Sequence, residues 1–76
     1  MNKVRRKALS ELKDQIESLK SDLETLLEEE QEYLDNIPEN MQSGERYETA
    51  ENAVSSLEDA VSSLEEAMDS IESATE

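Results

Sequence analysis

The stretch DNIPENMQSGERYE, residues 35–48, decides the fold, because it holds the chain's only proline, Pro38, and its only glycine, Gly44. Pro38 lacks a backbone donor and disfavours helix at Ile37. Asn36 with Glu39 suits the capping of one short turn, in whose first turn a proline is tolerated. Ser43 reads as the N-cap of a following helix, with Glu45 in its first turn. The alternative is one unbroken helix of about 70 residues, which would have to absorb both breakers.

Upstream of this break, apolar residues fall at Leu9, Leu12, Ile16, Leu19, Leu23 and Leu26, and the same spacing continues through Glu30, Tyr33 and Ile37. The steps alternate three and four, a coiled-coil seam with Leu9 at heptad position a and Leu12 at d. Downstream, Tyr47, Ala50, Val54, Leu57, Val61, Leu64, Met68 and Ile71 repeat the alternation with Tyr47 at a. The units AVSSLED, AVSSLEE and AMDSIES are each one heptad, with Ala53, Ala60, Ala67 and Ala74 at position g. Repetition at seven residues denotes a helical seam rather than a solenoid.

The pattern predicts an all-α chain, one antiparallel two-helix coiled-coil hairpin spanning residues 1–76. Helix 1 is expected over about 3–35, a tip over 36–44 and helix 2 over about 45–74. Folding the chain about residue 40 sets each a residue against a d residue: Tyr33 on Tyr47, Leu26 on Val54, Leu23 on Leu57, Leu19 on Val61, Ile16 on Leu64, Leu12 on Met68 and Leu9 on Ile71. The e positions supply an independent check. Arg6, Lys13, Lys20, Leu27 and Leu34 on helix 1 confront Glu51, Glu58, Glu65 and Glu72 on helix 2. Such exposed pairs contribute only about 0–1 kcal/mol each, but they select orientation. Lys3, Arg5, Arg6 and Lys7 open helix 1, where the macrodipole disfavours cations. The hairpin would set them beside Asp69, Glu72 and Glu76 as an electrostatic clasp; a nucleic-acid arm is the other reading, which the acidic chain and the lack of interleaved aromatics oppose.

Charge narrows the functions. Residues 1–20 carry six Lys/Arg and three Asp/Glu, whereas residues 21–76 carry one Arg and eighteen acids, for a net charge of −14. Hydrophobic residues make up 34% and charged ones 37%, a composition that would favour disorder without the heptad order. So acidic a surface disfavours direct binding of nucleic acid or membranes and favours basic protein partners. The start MNKVRRKALSELK has no apolar segment behind its basic residues, so no secretory signal is read and the cytoplasm is the expected location. The sequence has no His and no Cys. With no phosphate-binding loop and no pocket expected in a two-helix hairpin, neither enzymatic activity nor a cofactor or small-molecule ligand is expected. Glu28, Glu29, Glu30 and Glu32 do not form a metal site on this reading, because a helix splays consecutive carboxylates around its circumference. Glu30 falls at an a position opposite Ala50, where it either snorkels out past the small residue or acts as a buried specificity element.

Three surfaces remain as candidate sites. The tip gathers Tyr33, Ile37, Pro38, Met41, Arg46 and Tyr47, either as a protein-docking knob or as a plug closing the hairpin. A two-helix seam is thin for ordering a chain of this length, and the alanine stripe Ala53, Ala60, Ala67 and Ala74 offers a surface for close helix approach. Self-association of two hairpins into a four-helix bundle, as a homodimer, is therefore expected. The carboxylates Glu58, Asp59, Glu65 and Glu66 could imitate a phosphate backbone, or could simply solvate the exterior.

The stretch EEEQEYLDNIPENMQSGERYETAENAVSSLEDAVSSLEEAMDSIE (28–72), preceded by MNKVRRKALSEL, resembles short acidic proteins of Gram-positive gut bacteria and their phages and mobile elements. The shared features are the RRKxL start, the EEQE and DNIPEN centre, and the LEEA heptads. The resemblance implies no established activity and carries over no functional residues. Its phage association implies a role in the host cytoplasm, such as inhibiting a host nucleic-acid-handling or defence protein. The expected function is thus a protein-interaction module that binds or inhibits another protein, with a nucleic-acid mimic as the alternative.

Overall fold

The computed structural model describes residues 1–76. Helix α1 spans Lys3–Asp35 and helix α2 spans Glu45–Thr75, joined through a 3-10 turn at Glu39–Met41. The two long helices pack against each other as a hairpin with extents of 59 × 15 × 13 Å. Each helix propagates on uninterrupted residues of adequate helix propensity, and each ends where the sequence supplies a cap or a break.

Asn2 caps α1: its side-chain oxygen accepts from the Arg5 amide at 2.7 Å. At the other end Asn36 is the C-cap: its N–H donates to the Glu32 carbonyl at 3.0 Å, and the next amide, Ile37 N–H, donates to the Leu34 carbonyl at 3.2 Å. Pro38 is therefore outside α1, and its carbonyl accepts from Met41 N–H at 2.8 Å to start the 3-10 turn. Asn36 closes α1 rather than capping that turn, because its backbone remains helical at φ −89°, ψ −1°. The N-cap of α2 is Gly44 and not Ser43, with extended backbone at φ −86°, ψ 165° and no side-chain cap bond. Gly44 N–H donates to Met41 carbonyl, which holds Ser43 inside the turn, one residue short of the cap position.

The core lies at the tip end. Leu34, Ile37, Ala50 and Val54 form its buried cluster, with Leu27 and Tyr47 packed against it. Toward the termini Met68 is the one other buried residue, at 6% exposure. Helix α2 faces inward as its heptads predict: every a and d residue from Tyr47 to Ile71 is buried or half-buried.

Helix α1 departs from the expected seam. Its d residues are exposed: Leu12 by 48%, Leu19 by 61%, Leu26 by 56% and Tyr33 by 39%. Its a residues Leu9, Ile16, Leu23 and Glu30 face inward together with the e residues Lys13, Lys20, Leu27 and Leu34, and Ile37 just beyond the helix is buried as well. The pairings of Leu12 on Met68, Leu19 on Val61, Leu26 on Val54 and Tyr33 on Tyr47 as interior seam layers are therefore corrected. The cause is the width of the apolar stripe on α1. Leu27 and Leu34 at e are apolar too, so the helix rotates to bury a and e near the tip and leaves d outside. Lys13 and Lys20 tolerate that rotation because their aliphatic stems can lie along α2 while their ammonium groups reach outward.

Candidate interaction surface

Two ion pairs fix the direction of the helices. Lys13 Nζ lies 3.2 Å from Glu72 and Lys20 Nζ lies 3.4 Å from Glu65. One step of a heptad forward on α1 is one heptad back on α2, which is antiparallel e-to-e pairing. Burial alone would lower the Lys20 pKa, but the hydrogen bond to Glu65 and the charges of Glu17, Glu65 and Glu24 outweigh it and raise it above 10.5. Arg6 joins no ion pair, and neither do Lys3, Arg5 and Lys7, so the expected clasp onto Asp69, Glu72 and Glu76 does not form. Every one of those four cations is exposed. With Lys13 and Lys20 already turned inward, the first turn of α1 has no apolar anchor at e to hold it as closely against α2.

The opposite side of the hairpin is defined by Tyr33 and Arg46. Arg46 Nε donates to the Tyr33 hydroxyl, and the guanidinium carbon lies 5.2 Å from the ring centroid. An exposed cation–aromatic contact of this kind contributes about 0.5–1 kcal/mol. Its greater use is geometric, because Tyr33 is a d residue of α1 and Arg46 occupies the g position of α2. Steps of seven residues carry that neighbour relation along the rod: Leu26 beside Ala53, Leu19 beside Ala60, Leu12 beside Ala67. The exposed leucine row of α1 and the alanine stripe of α2 thus share one face. Ala53 and Ala60 are half-buried in the groove between the helices, while Ala67 and Ala74 are exposed. No protein-family model matches the chain, and no curated protein or solved structure matches it significantly.

Sequence reasoning singled out the alanines and missed the leucines, which it had assigned to the seam. The signal was present in Leu27 and Leu34: apolar residues at a, d and e together exceed what one partner helix can cover.

The tip residues divide. Ile37 is 5% exposed and plugs the end of the core, so its side chain is withdrawn from any docking surface. Tyr47 is half-buried against the same cluster. Pro38, Met41 and Arg46 are exposed, Met41 by 46%. Glu30, Tyr33, Glu45, Arg46, Thr49 and Ala50 bound an open hollow of about 650 Å³. Glu30 is half-buried there while Ala50 opposite is 3% exposed, the pairing of long with small that the heptads place at this level. Glu58, Asp59, Glu65 and Glu66 are all exposed, with Glu65 held by Lys20 and Glu58 bordering a second open hollow beside Leu27, Gln31 and Asp35. No helix is long and apolar enough to cross a membrane.

Proposed function

We propose that the chain is a non-enzymatic protein-interaction module, an acidic helical hairpin that self-associates and in that form binds or inhibits another protein. The observation that carries this reading is the exposed row Leu12, Leu19, Leu26 and Tyr33, which the Tyr33–Arg46 contact and the heptad spacing set beside the alanine stripe. Monomeric proteins rarely leave a contiguous apolar row of this kind in water, and such rows mark interaction surfaces. Association of two hairpins through it gives a four-helix bundle and covers the half of the α1 stripe that α2 leaves open. The tip residues Pro38 and Met41 and the acidic exterior then remain free for a second protein. The resemblance to proteins of phages and mobile elements is in keeping with an inhibitor acting in a host cytoplasm.

A second reading rests on the carboxylates. Glu58, Asp59 and Glu66 project from the exterior of α2 without a cationic partner, as a phosphate mimic would require. Affinity capture from the native cytoplasm, with wild type and two variants in parallel, separates the readings. Met41→Asp should abolish capture by a tip-docking module and spare a mimic. Lysines at Glu58, Asp59, Glu65 and Glu66 should do the reverse, and the mimic's binding should weaken steeply with salt. A hairpin that sediments as a folded monomer at micromolar concentration contradicts the self-association on which the first reading depends.

A further inference from the structure

Resting on the self-association just proposed, we infer that the second copy lies antiparallel across the leucine face, with its two-fold axis at Leu19 and Ala60. Each hairpin's tip then meets the other's termini. A chain of net charge −14 repels its own copies everywhere except across a face poor in carboxylates. The leucine–alanine face is poor in them: on α2 the positions outward of the alanines are Thr49, Ser56, Ser63 and Ser70, all uncharged, and on α1 those outward of the leucines are Ala8, Gln15, Asp22 and Glu29, so only two carboxylates border it.

Helix α1 is itself polarised. Its first turn contains no acid and its last turn no base, the reverse of what the helix dipole favours at each end. Arg5 occupies the next d position beyond Leu12, is exposed, and makes no ion pair within the hairpin. Glu29, at g, flanks the Leu26 and Tyr33 end of the same face. An axis at Leu19 maps Leu12 onto Leu26 of the second copy and Arg5 onto Tyr33, with Glu29 adjacent. It also maps Ala53 onto Ala67 and brings Arg46 to the end of the second copy's α2, whose last turn likewise lacks a base. The leucine, alanine and Arg5–Glu29 contacts each occur twice about the axis, as an isologous interface requires. The competing arrangement, with both tips at one end, crowds Glu28, Glu29, Glu30 and Glu32 of both copies together.

The area suffices. From Arg5 to Tyr33 the face is roughly 40 Å long, and two helices make it roughly 20 Å wide. That is about 800 Å² per copy, what a stable specific interface buries on each side.

The test uses the full chain, which has no native cysteine. A nitroxide on Asn40→Cys, at the exposed tip, reports the tip-to-tip distance by double electron–electron resonance. The antiparallel dimer gives a distance near the 59 Å length of the rod. A dimer whose tips lie side by side, at roughly two helix diameters, overturns the arrangement but leaves self-association standing. A monomer by sedimentation overturns both. Leu19→Cys should oxidise to a self-linked dimer without a second cysteine, whereas the tips-together arrangement links it only to Ala60→Cys. Arg5→Glu should weaken the dimer about tenfold, and adding Glu29→Arg should restore it. Loss without restoration overturns the Arg5–Glu29 contact.

Discussion

Leu34→Ala and Leu19→Ala make the same truncation on the same helix, yet the structure assigns them very different costs. Leu34 is 8% exposed and belongs to the tip cluster with Ile37, Ala50 and Val54. Truncating a leucine so enclosed costs roughly 2–5 kcal/mol, the spread reflecting how far the cavity can collapse. Leu19 keeps 61% of its surface in water within the hairpin. Its truncation there forfeits under half of the roughly 1.5–3 kcal/mol of a fully buried leucine, about 1 kcal/mol. The assay is urea unfolding followed by far-ultraviolet circular dichroism over a range of protein concentrations. In the most dilute solution in which the chain is still helical, Leu34→Ala should lower the midpoint strongly and Leu19→Ala only slightly. As concentration rises, the cost at Leu19 should grow while that at Leu34 stays constant, because only Leu19 lies in the interface between copies. Equal costs in dilute solution would refute the rotation of α1 and restore the a/d seam.

Other perturbations probe other parts of the account. Asn2→Ala removes the cap bond to the Arg5 amide and should cost about 1 kcal/mol, seen as faster hydrogen exchange confined to the first turn of α1. Gly44→Ser should raise stability by a few tenths of a kcal/mol (~0.5 at most), because φ is negative and the new hydroxyl can cap an end that lacks a side-chain bond. The raised pKa of Lys20 means that its ion pair with Glu65 stabilises the hairpin fully below pH 10.5 and loses that contribution as pH rises through the folded value. The unfolding midpoint should therefore fall in that alkaline range, and by less in Lys20→Met, compared at equal salt.

Much of this fold is legible in the sequence, for physical reasons that also explain where the reading stopped. Alternating steps of three and four residues leave little choice but helix, and Pro38 with Gly44 leaves little choice but a break. The rows of lysine and glutamate at e point to antiparallel packing, and Lys13–Glu72 and Lys20–Glu65 form accordingly. The rotation of α1 was harder to read. A heptad names the positions nearest a single partner, but α1 is apolar at a and d from Leu9 to Leu26 and at e near the tip. Which two of those three face α2 depends on the fit of Leu27 and Leu34 against Ala50 and Val54, a packing question that spacing does not answer. The cap at Gly44 rather than Ser43 is a similar case, since a residue's cap propensity yields to the turn that delivers the chain. The candidate surface was half legible: the alanines stood out by their repetition, whereas the leucines beside them looked like core.

The most direct measurement is sedimentation equilibrium of the wild type beside Leu19→Glu, with helicity monitored in both. The wild type should have a mass twice that of the 8.6 kDa chain at micromolar concentration. Leu19→Glu, at a position already exposed in the hairpin, should stay helical and sediment as a single chain. A monomeric, fully helical wild type, or a Leu19→Glu variant that still dimerises as tightly, would contradict self-association through the leucine row.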